Sequence, residues 1–128
     1  MGVGTAGGVS VRTVEVVNLS TGQTVGTRIW VADRPWWRLR GLLGRKDLAP
    51  DQGMLLVPCC NIHTFGMGFS IDVIYGYRDG TVCKMLTGFP PNRVGPLVLG
   101  GHFVLELPAG TIARKAIKVG HRLHWRDP

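Results

Sequence analysis

The stretch IDVIYGYRDGTVCKML, from Ile71 to Leu86, decides the fold class. Its Asp79 and Gly80 lie between two runs, 71–77 and 81–86, that are rich in β-branched and aromatic residues. An Asp-Gly pair between such runs is the strongest short-range signal for an antiparallel hairpin. The stretch therefore predicts two paired strands and a β-rich protein around them.

A second hairpin is predicted upstream of this one. Residues 11–19 and 24–31 alternate between β-branched and polar side chains, and the turn-forming residues Ser20 to Gln23 separate them. Apolar runs bounded by Gly and Pro predict further strands at residues 53–58, 102–107 and 122–125. Residues 111–119 are compatible with a short helical turn between the last two of these.

One short helix is expected after the first hairpin. Asp33 can cap it, Pro35 is tolerated in its first turn, and Gly44 ends it. Tryptophan and leucine side chains recur at helical spacing in this segment, so they are interpreted as core residues and not as a platform for stacking bases. The predicted fold class is thus all-β, mainly antiparallel, barrel- or sandwich-like, with this one short helix.

Length and composition predict one domain. The chain has 128 residues, with 45% hydrophobic and 18% charged residues, which suits a single hydrophobic core. Glycines in residues 1–8 predict a flexible N-terminal tail, which leaves residues 9–128 as the domain. The net charge of +7 is compatible with an anionic partner such as nucleic acid, but short, scattered clusters of arginine and lysine favour an ordinary solvated surface.

The cysteines and the start of the chain predict a cytoplasmic location. Cys59 and Cys60 are adjacent and Cys83 stands alone, which is not the pattern of a disulfide framework. No signal-peptide pattern opens the chain, and no apolar run reaches membrane-spanning length. A reducing compartment and no membrane association are the resulting expectations.

Six motifs, taken in order, resemble one known family. The motifs are Arg38-x-x-Gly-Leu-Leu-Gly-Arg45, Gly53-Met-Leu-Leu56, Cys60-Asn-Ile-His-Thr-Phe-Gly-Met67, Ile71-Asp-Val73, Asp79-Gly80 and Val104-Leu-Glu-Leu-Pro-Ala-Gly110. In order and spacing they resemble the domain of unknown function 192 family, over about Val25 to Leu123. The resemblance implies a compact, mostly β, barrel-like or sandwich-like domain with a short helix after the first strands. It implies no established activity and no cofactor.

The loop from Cys59 to Met67 is the most unusual segment. In an extended chain Cys59 and His63 share one face, so a thiolate nucleophile or a pair of metal ligands is conceivable there. A structural zinc needs four ligands, and no second ligand pair occurs nearby in the sequence. Neither a phosphate-binding loop nor a dinucleotide fingerprint is present. We therefore predict no metal and no cofactor, and favour a buried thiol and a hydrogen-bonded histidine.

Two carboxylates, Asp72 and Glu106, lie within apolar strands. Buried charges are rarely left without partners, so the favoured interpretation is that they accept hydrogen bonds from loop amides or pair with arginines such as Arg40 or Arg93. The alternative is a cleft in which both carboxylates converge with His63 and Thr64 for acid–base chemistry or ligand orientation.

The sequence favours a small non-catalytic binding or interaction module whose partner is a protein or a small molecule. Function tends to lie in loops held by rigid strands, and the Cys59 to Met67 loop fits that description. Two alternatives stay open: an enzyme that depends on Cys and His or on a metal at the same loop, and a weak, basic nucleic-acid binder. The candidate ligand-binding residues are Cys59, Cys60, His63, Thr64, Met67, Asp72, Arg93 and Glu106.

Overall fold

A computed structural model of the chain describes residues 3–6, 9–32 and 47–128. In these ranges the elements are β1 (Val3–Ala6), β2 (Val9–Asn18), β3 (Thr24–Ala32), β4 (Gln52–Leu56), β5 (Ile71–Gly76), β6 (Val82–Phe89), β7 (Phe103–Pro108), helix α1 (Thr111–Arg114) and β8 (Leu123–Arg126). The strands form one sheet in the order β1-β2-β3-β4-β7-β5-β6, and β8 also pairs with β2. The all-β class is confirmed.

Both predicted hairpins are present. In the first, β2 pairs with β3 so that Val14 lies opposite Ile29. In the second, β5 pairs with β6, and the turn between them is closed by the amide of Tyr77, which donates to the carbonyl of Thr81. Gly80 in this turn has a φ of 95°, a conformation that costs glycine nothing. The turn that contains Asp79 and Gly80 therefore lies where the sequence predicted it.

The sheet curls into a half-barrel. All its strand pairs are antiparallel except β3 with β4, which run parallel. Near the β5–β6 turn the curled sheet meets β8: Thr81 forms an isolated bridge with Arg122, and the amide of Leu123 donates to the carbonyl of Gly80. The parallel pair was not expected, since it requires the chain to cross over between β3 and β4.

Side chains alternate between two buried faces of the sheet. One, the helix-side face, is packed under Ile112 and Ile117; its core includes Val14, Ile29, Leu55, Ile74, Phe103, Leu105 and Leu107. The other, the loop-side face, is packed under Ile62 and Met67; its core includes Met54, Leu56, Val73, Tyr75 and Val104. Because β5 and β7 are buried on both faces, they form the centre of the molecule.

The predicted helical turn in residues 111–119 is confirmed as α1. The Thr111 hydroxyl donates to the carbonyl of Pro108 at 2.7 Å, which ties the first residue of the helix to the end of β7. The helix predicted between Asp33 and Gly44 lies outside the described residues. Among the residues that are described, no helix is long and apolar enough to cross a membrane.

Residues 3–6, within the stretch 1–8 that was predicted to be a flexible tail, are described. Val3–Ala6 forms β1 and pairs antiparallel with the beginning of β2, with Val3 opposite Arg12 and Ala6 opposite Val9. Strand pairing uses main-chain groups, which glycine-rich sequence supplies as well as any other. Glycine content alone therefore did not predict whether this stretch pairs.

Candidate functional site

The loop from Cys59 to Met67 runs antiparallel to a second loop, residues 90–101. The two segments are called here the paired loops. Four main-chain hydrogen bonds of 2.8 to 2.9 Å join them: Val98 to Cys60, Gly95 to Ile62, Thr64 to Arg93 and Asn92 to Thr64, each written donor first. This ladder holds an irregular segment nearly as firmly as a strand pair, so the paired loops form a fixed surface on the loop-side face.

Thr64 is the centre of this ladder. It is fully buried, and its hydroxyl donates to the carbonyl of Pro90 at 2.7 Å and accepts from the amide of Arg93 at 2.9 Å. The amide of Gly66 donates to the Asn92 side-chain carbonyl, which fixes the tip of the first loop. Thr64 is therefore committed to holding the loops together.

The paired loops expose an unusual amount of apolar surface. Of the seven large apolar side chains exposed in the described part of the chain, four lie on these two loops. Leu99 is 85% exposed and Phe65, Val94 and Leu97 are 51 to 66% exposed. Tyr77, a fifth, lies beside Gly100 of the second loop. We call Phe65, Val94, Leu97 and Leu99 the apolar loop surface; a concentration of exposed large apolar side chains is typical of interaction sites.

The two adjacent cysteines lie at the base of the first loop; like Cys83, they are half-buried and form no disulfide. The Cys59 thiol donates to the main-chain carbonyl of Asn61 at 2.9 Å. Cys60 lies under the second loop, since a Cβ on Gly101 would come within 3.2 Å of the Cys60 Cβ. Among the described residues, no three His, Cys, Asp or Glu side chains are grouped as metal ligands would be.

His63 lies on the first loop, between the buried residues Ile62 and Thr64. Its ring stacks on Phe65 with centroids 5.4 Å apart, and its main chain forms a bridge with Val94. The Nδ1 atom is buried and has no hydrogen-bond partner in the described structure. His63 thus helps to position part of the apolar loop surface and retains one unsatisfied polar atom.

Asp72 is a structural acceptor, as the favoured interpretation predicted. Its side chain is fully buried on the helix-side face, where Oδ1 accepts from the amide of Gly88 at 2.9 Å. Its Oδ2 accepts from the amides of Gly110 and Ile112 at 3.1 and 2.9 Å. One carboxylate therefore ties the end of β6 and the beginning of α1 to β5.

Glu106 faces the opposite way. In the register of β5 with β7, Asp72 lies opposite Leu107 and Val73 lies opposite Glu106, so the two carboxylates occupy different faces of the sheet. The cleft in which Asp72 and Glu106 were considered to converge is therefore not formed. Glu106 is 3% exposed, its Oε1 has no partner among the described groups, and burial raises the pKa of its carboxyl to about 8.

Tyr75 is the site residue that sequence reasoning missed. Its hydroxyl donates to the carbonyl of Pro96 at 3.0 Å, and this bond anchors the second loop to the sheet. Burial, with smaller effects of Cys59, Glu106 and Cys60, raises the pKa of the phenol to about 12. A tyrosine in a strand otherwise made of apolar residues was the available signal, because a buried phenol usually has a hydrogen-bond partner.

Arg93 and Met67, the remaining predicted residues, occupy different environments on the paired loops. Arg93 is exposed, and the one acceptor that its guanidinium has among the described residues is the carbonyl of Asn92. It does not pair with Asp72 or Glu106, which corrects that part of the expectation. Met67 is 6% exposed and packs in the loop-side core, as an adaptable thioether between apolar groups commonly does.

Comparison with known proteins places these features in a family. The model of DUF192, described as an uncharacterized ACR, matches residues 16–125. A protein of unknown function from Novosphingobium aromaticivorans DSM 12444 is similar in structure, with a TM-score of 0.80 and 23% identity over 96% of this chain and 91% of that one. A protein from Sinorhizobium meliloti 1021, described as a candidate transcription regulator, has a TM-score of 0.75 and 27% identity over 88% of this chain and 91% of its own. No curated protein matches the chain.

Proposed function

The chain belongs to the DUF192 family, whose function is not established, and from this premise we propose that it is a non-catalytic protein-interaction module. Its binding face is the apolar loop surface. The observation that carries the proposal is the concentration of exposed large apolar side chains on two loops held rigid by their own hydrogen bonds. Presenting a preformed apolar surface lowers the entropy lost on association.

The composition of the paired loops indicates the kind of partner. Arg93 is the one Lys, Arg, Asp or Glu residue in residues 59–67 and 90–101. Apolar contacts with few charges are typical of the central part of a protein interface, where an exposed arginine at the edge often pairs with an acidic residue. The proposed partner is a protein with an apolar patch and an acidic side chain placed to meet Arg93.

A non-catalytic role is supported by what the candidate catalytic groups do. Asp72 and Thr64 are engaged in hydrogen bonds that hold loops and strands in place. Asp72 and Glu106 lie on opposite faces, so they do not form the pair of nearby carboxylates that acid–base chemistry commonly uses. Binding requires none of these groups to react.

Nucleic-acid binding is the second candidate, favoured by the net charge of +7 and by the description of the Sinorhizobium meliloti protein. It would use a different surface, because the paired loops are nearly free of charge. Its signature is an affinity that falls steeply with salt. The proposal also includes a cytoplasmic location, which is supported by three cysteines that form no disulfide, because a reducing compartment keeps cysteines reduced.

Site-specific photo-crosslinking in cells tests the proposal. A photoreactive amino acid is placed at Leu97 or Leu99 and, as controls, at Leu19 or Val119, which are 57 and 59% exposed, as Leu97 is at 60%, but lie outside the paired loops. The proposal predicts a discrete protein adduct from the loop positions, absent from the control positions and lost when Phe65→Asp is added. Equal adducts from both sets, or adducts to nucleic acid alone, would refute it.

A further inference from the structure

Glu106 lies in the middle of the loop-side face. Across the sheet it is flanked directly by Met54 of β4 and Val73 of β5. Further along the same row lie Trp30, opposite Met54, and Leu86, opposite Val73. A carboxyl group thus lies within a row of apolar side chains that spans five strands.

The Glu106 carboxyl has an oxygen that lacks the hydrogen-bond partner a buried acid normally has. Its Oε1 atom is buried and unpartnered, and the described ion pairs, Arg28 with Asp51 and Arg126 with Glu15, do not involve it. A buried polar atom without a hydrogen-bond partner is rare in native proteins and calls for an explanation, of which a bound ion is one. Asp72, one position away in register and saturated with three amide donors, is the internal contrast.

A second unsatisfied atom belongs to the segment that covers the same face. The buried His63 Nδ1 has no partner, and His63 follows Ile62, which packs in the loop-side core. The same segment contributes Met67, whose flexible side chain is flanked by Gly66 and Gly68. Methionine repacks readily, so Met67 is the residue of this segment whose side chain moves at the lowest cost.

We propose that Glu106 is the acceptor of a ligand site on the loop-side face, beneath residues 62–67, which takes a small organic cation with an apolar tail. A guanidinium group supplies the N–H donors that Oε1 lacks and the positive charge that an ionised carboxyl needs in apolar surroundings. An alkyl tail suits the flanking Met54, Val73 and Val104. This site is separate from the apolar loop surface, so the inference does not depend on the proposed function.

Binding at this site is linked to pH. Burial raises the pKa of Glu106 to about 8, so a cation that binds the carboxylate must displace a proton at lower pH. Affinity therefore rises about tenfold for each pH unit up to about pH 8 and is constant above it. The other titratable or charged groups described on this face, or on the loops that cover it, include Tyr75, Cys59, Cys60, Cys83, His63, Lys84 and Arg93. Arg28 and His102 lie two residues before Trp30 and Val104, so strand alternation puts them on the same side.

Calorimetry of the full chain with n-butylguanidinium tests the inference, with n-butylurea as a neutral probe of the same shape. The expected result is binding of the cation that strengthens about a hundredfold from pH 6 to pH 8, with no such pH dependence for the urea. Glu106→Gln should abolish cation binding, whereas Val119→Asp, at an exposed residue outside the paired loops, should leave it unchanged. No cation binding at pH 8.5, or a pH-independent affinity, would overturn the proposal.

A second measurement uses the unmodified protein, because Glu106→Gln would also lose binding if it failed to fold. Carbon NMR of the side-chain carboxyls follows the titration of Glu106 with and without n-butylguanidinium. The cation should shift the Glu106 titration to lower pH, and no other buried carboxyl should move. A Glu106 carboxyl that is already ionised at pH 6 in the free protein would show that the chain supplies its own counter-charge, and the inference would be wrong.

Discussion

Replacing Asp72 by Asn should destabilise the protein strongly although it changes one atom. The carboxylate accepts from three amides, of Gly88, Gly110 and Ile112. A carboxamide keeps one oxygen and must point its NH2 group at one of these N–H donors. One charge-assisted bond is lost and one buried amide is left unsatisfied, at roughly 1 to 3 kcal/mol each, so we expect a loss of about 3 kcal/mol.

Urea unfolding followed by circular dichroism measures this loss. With a slope of about 1–3 kcal/mol per molar urea, the midpoint should fall by about 1.5 M. The control is Asp79→Asn: Asp79 is an exposed carboxylate that accepts from the amide of Thr81 in a solvated turn, so its replacement should move the midpoint far less. A midpoint for Asp72→Asn that matches this control would refute the account of Asp72 as the tie between β5, β6 and α1.

Three further predictions concern the loops, the packing and the buried acid. Thr64→Val should cost about 1–3 kcal/mol in urea unfolding and should speed hydrogen exchange at the amides of Arg93 and Gly95; unchanged exchange would contradict the role given to Thr64. Gly76→Ala should destabilise the protein by about 1–3 kcal/mol or more, because the added Cβ would overlap the Phe103 ring. Its control is Gly22→Asn, which should be tolerated because Gly22 lies in an open turn with a φ of 78°. The folded pKa of Glu106 is raised from 4.5 to about 8, so the folded protein holds the proton more tightly than the unfolded chain does. This contribution to stability is complete below pH 4.5 and is lost as pH rises to about 8, by about 5 kcal/mol. Glu106→Gln should flatten this part of the stability curve, and an unchanged slope would contradict the prediction.

Local sequence predicted the strands well because their signals are local. The Asp79 and Gly80 turn and the alternation in residues 11–31 report φ, ψ and burial of neighbouring residues, and both hairpins formed where they were expected. The parallel pairing of β3 with β4 was not predicted. It depends on which distant strands share an edge, and no short stretch of sequence encodes that.

The site was predicted only in part, because some of it depends on which distant segments lie side by side. The loop containing Cys59 and His63 was identified from its unusual residues, but its partner, residues 90–101, was not, because the two segments are joined mainly by main-chain hydrogen bonds. Asp72 and Glu106 look alike in sequence, as single acids in apolar strands. Only the register of β5 against β7 separates a saturated acceptor from an unsatisfied one.

The central claim is that the apolar loop surface binds a protein, and one comparison of affinities tests it most directly. The partner captured by crosslinking is purified, and its dissociation constant is measured by calorimetry against the unmodified chain, Leu99→Asp and Val119→Asp. We expect at least about a tenfold loss of affinity for Leu99→Asp and none for Val119→Asp, whose side chain is 59% exposed and lies outside the paired loops. Equal affinities for all three proteins, each folded by circular dichroism, would contradict it.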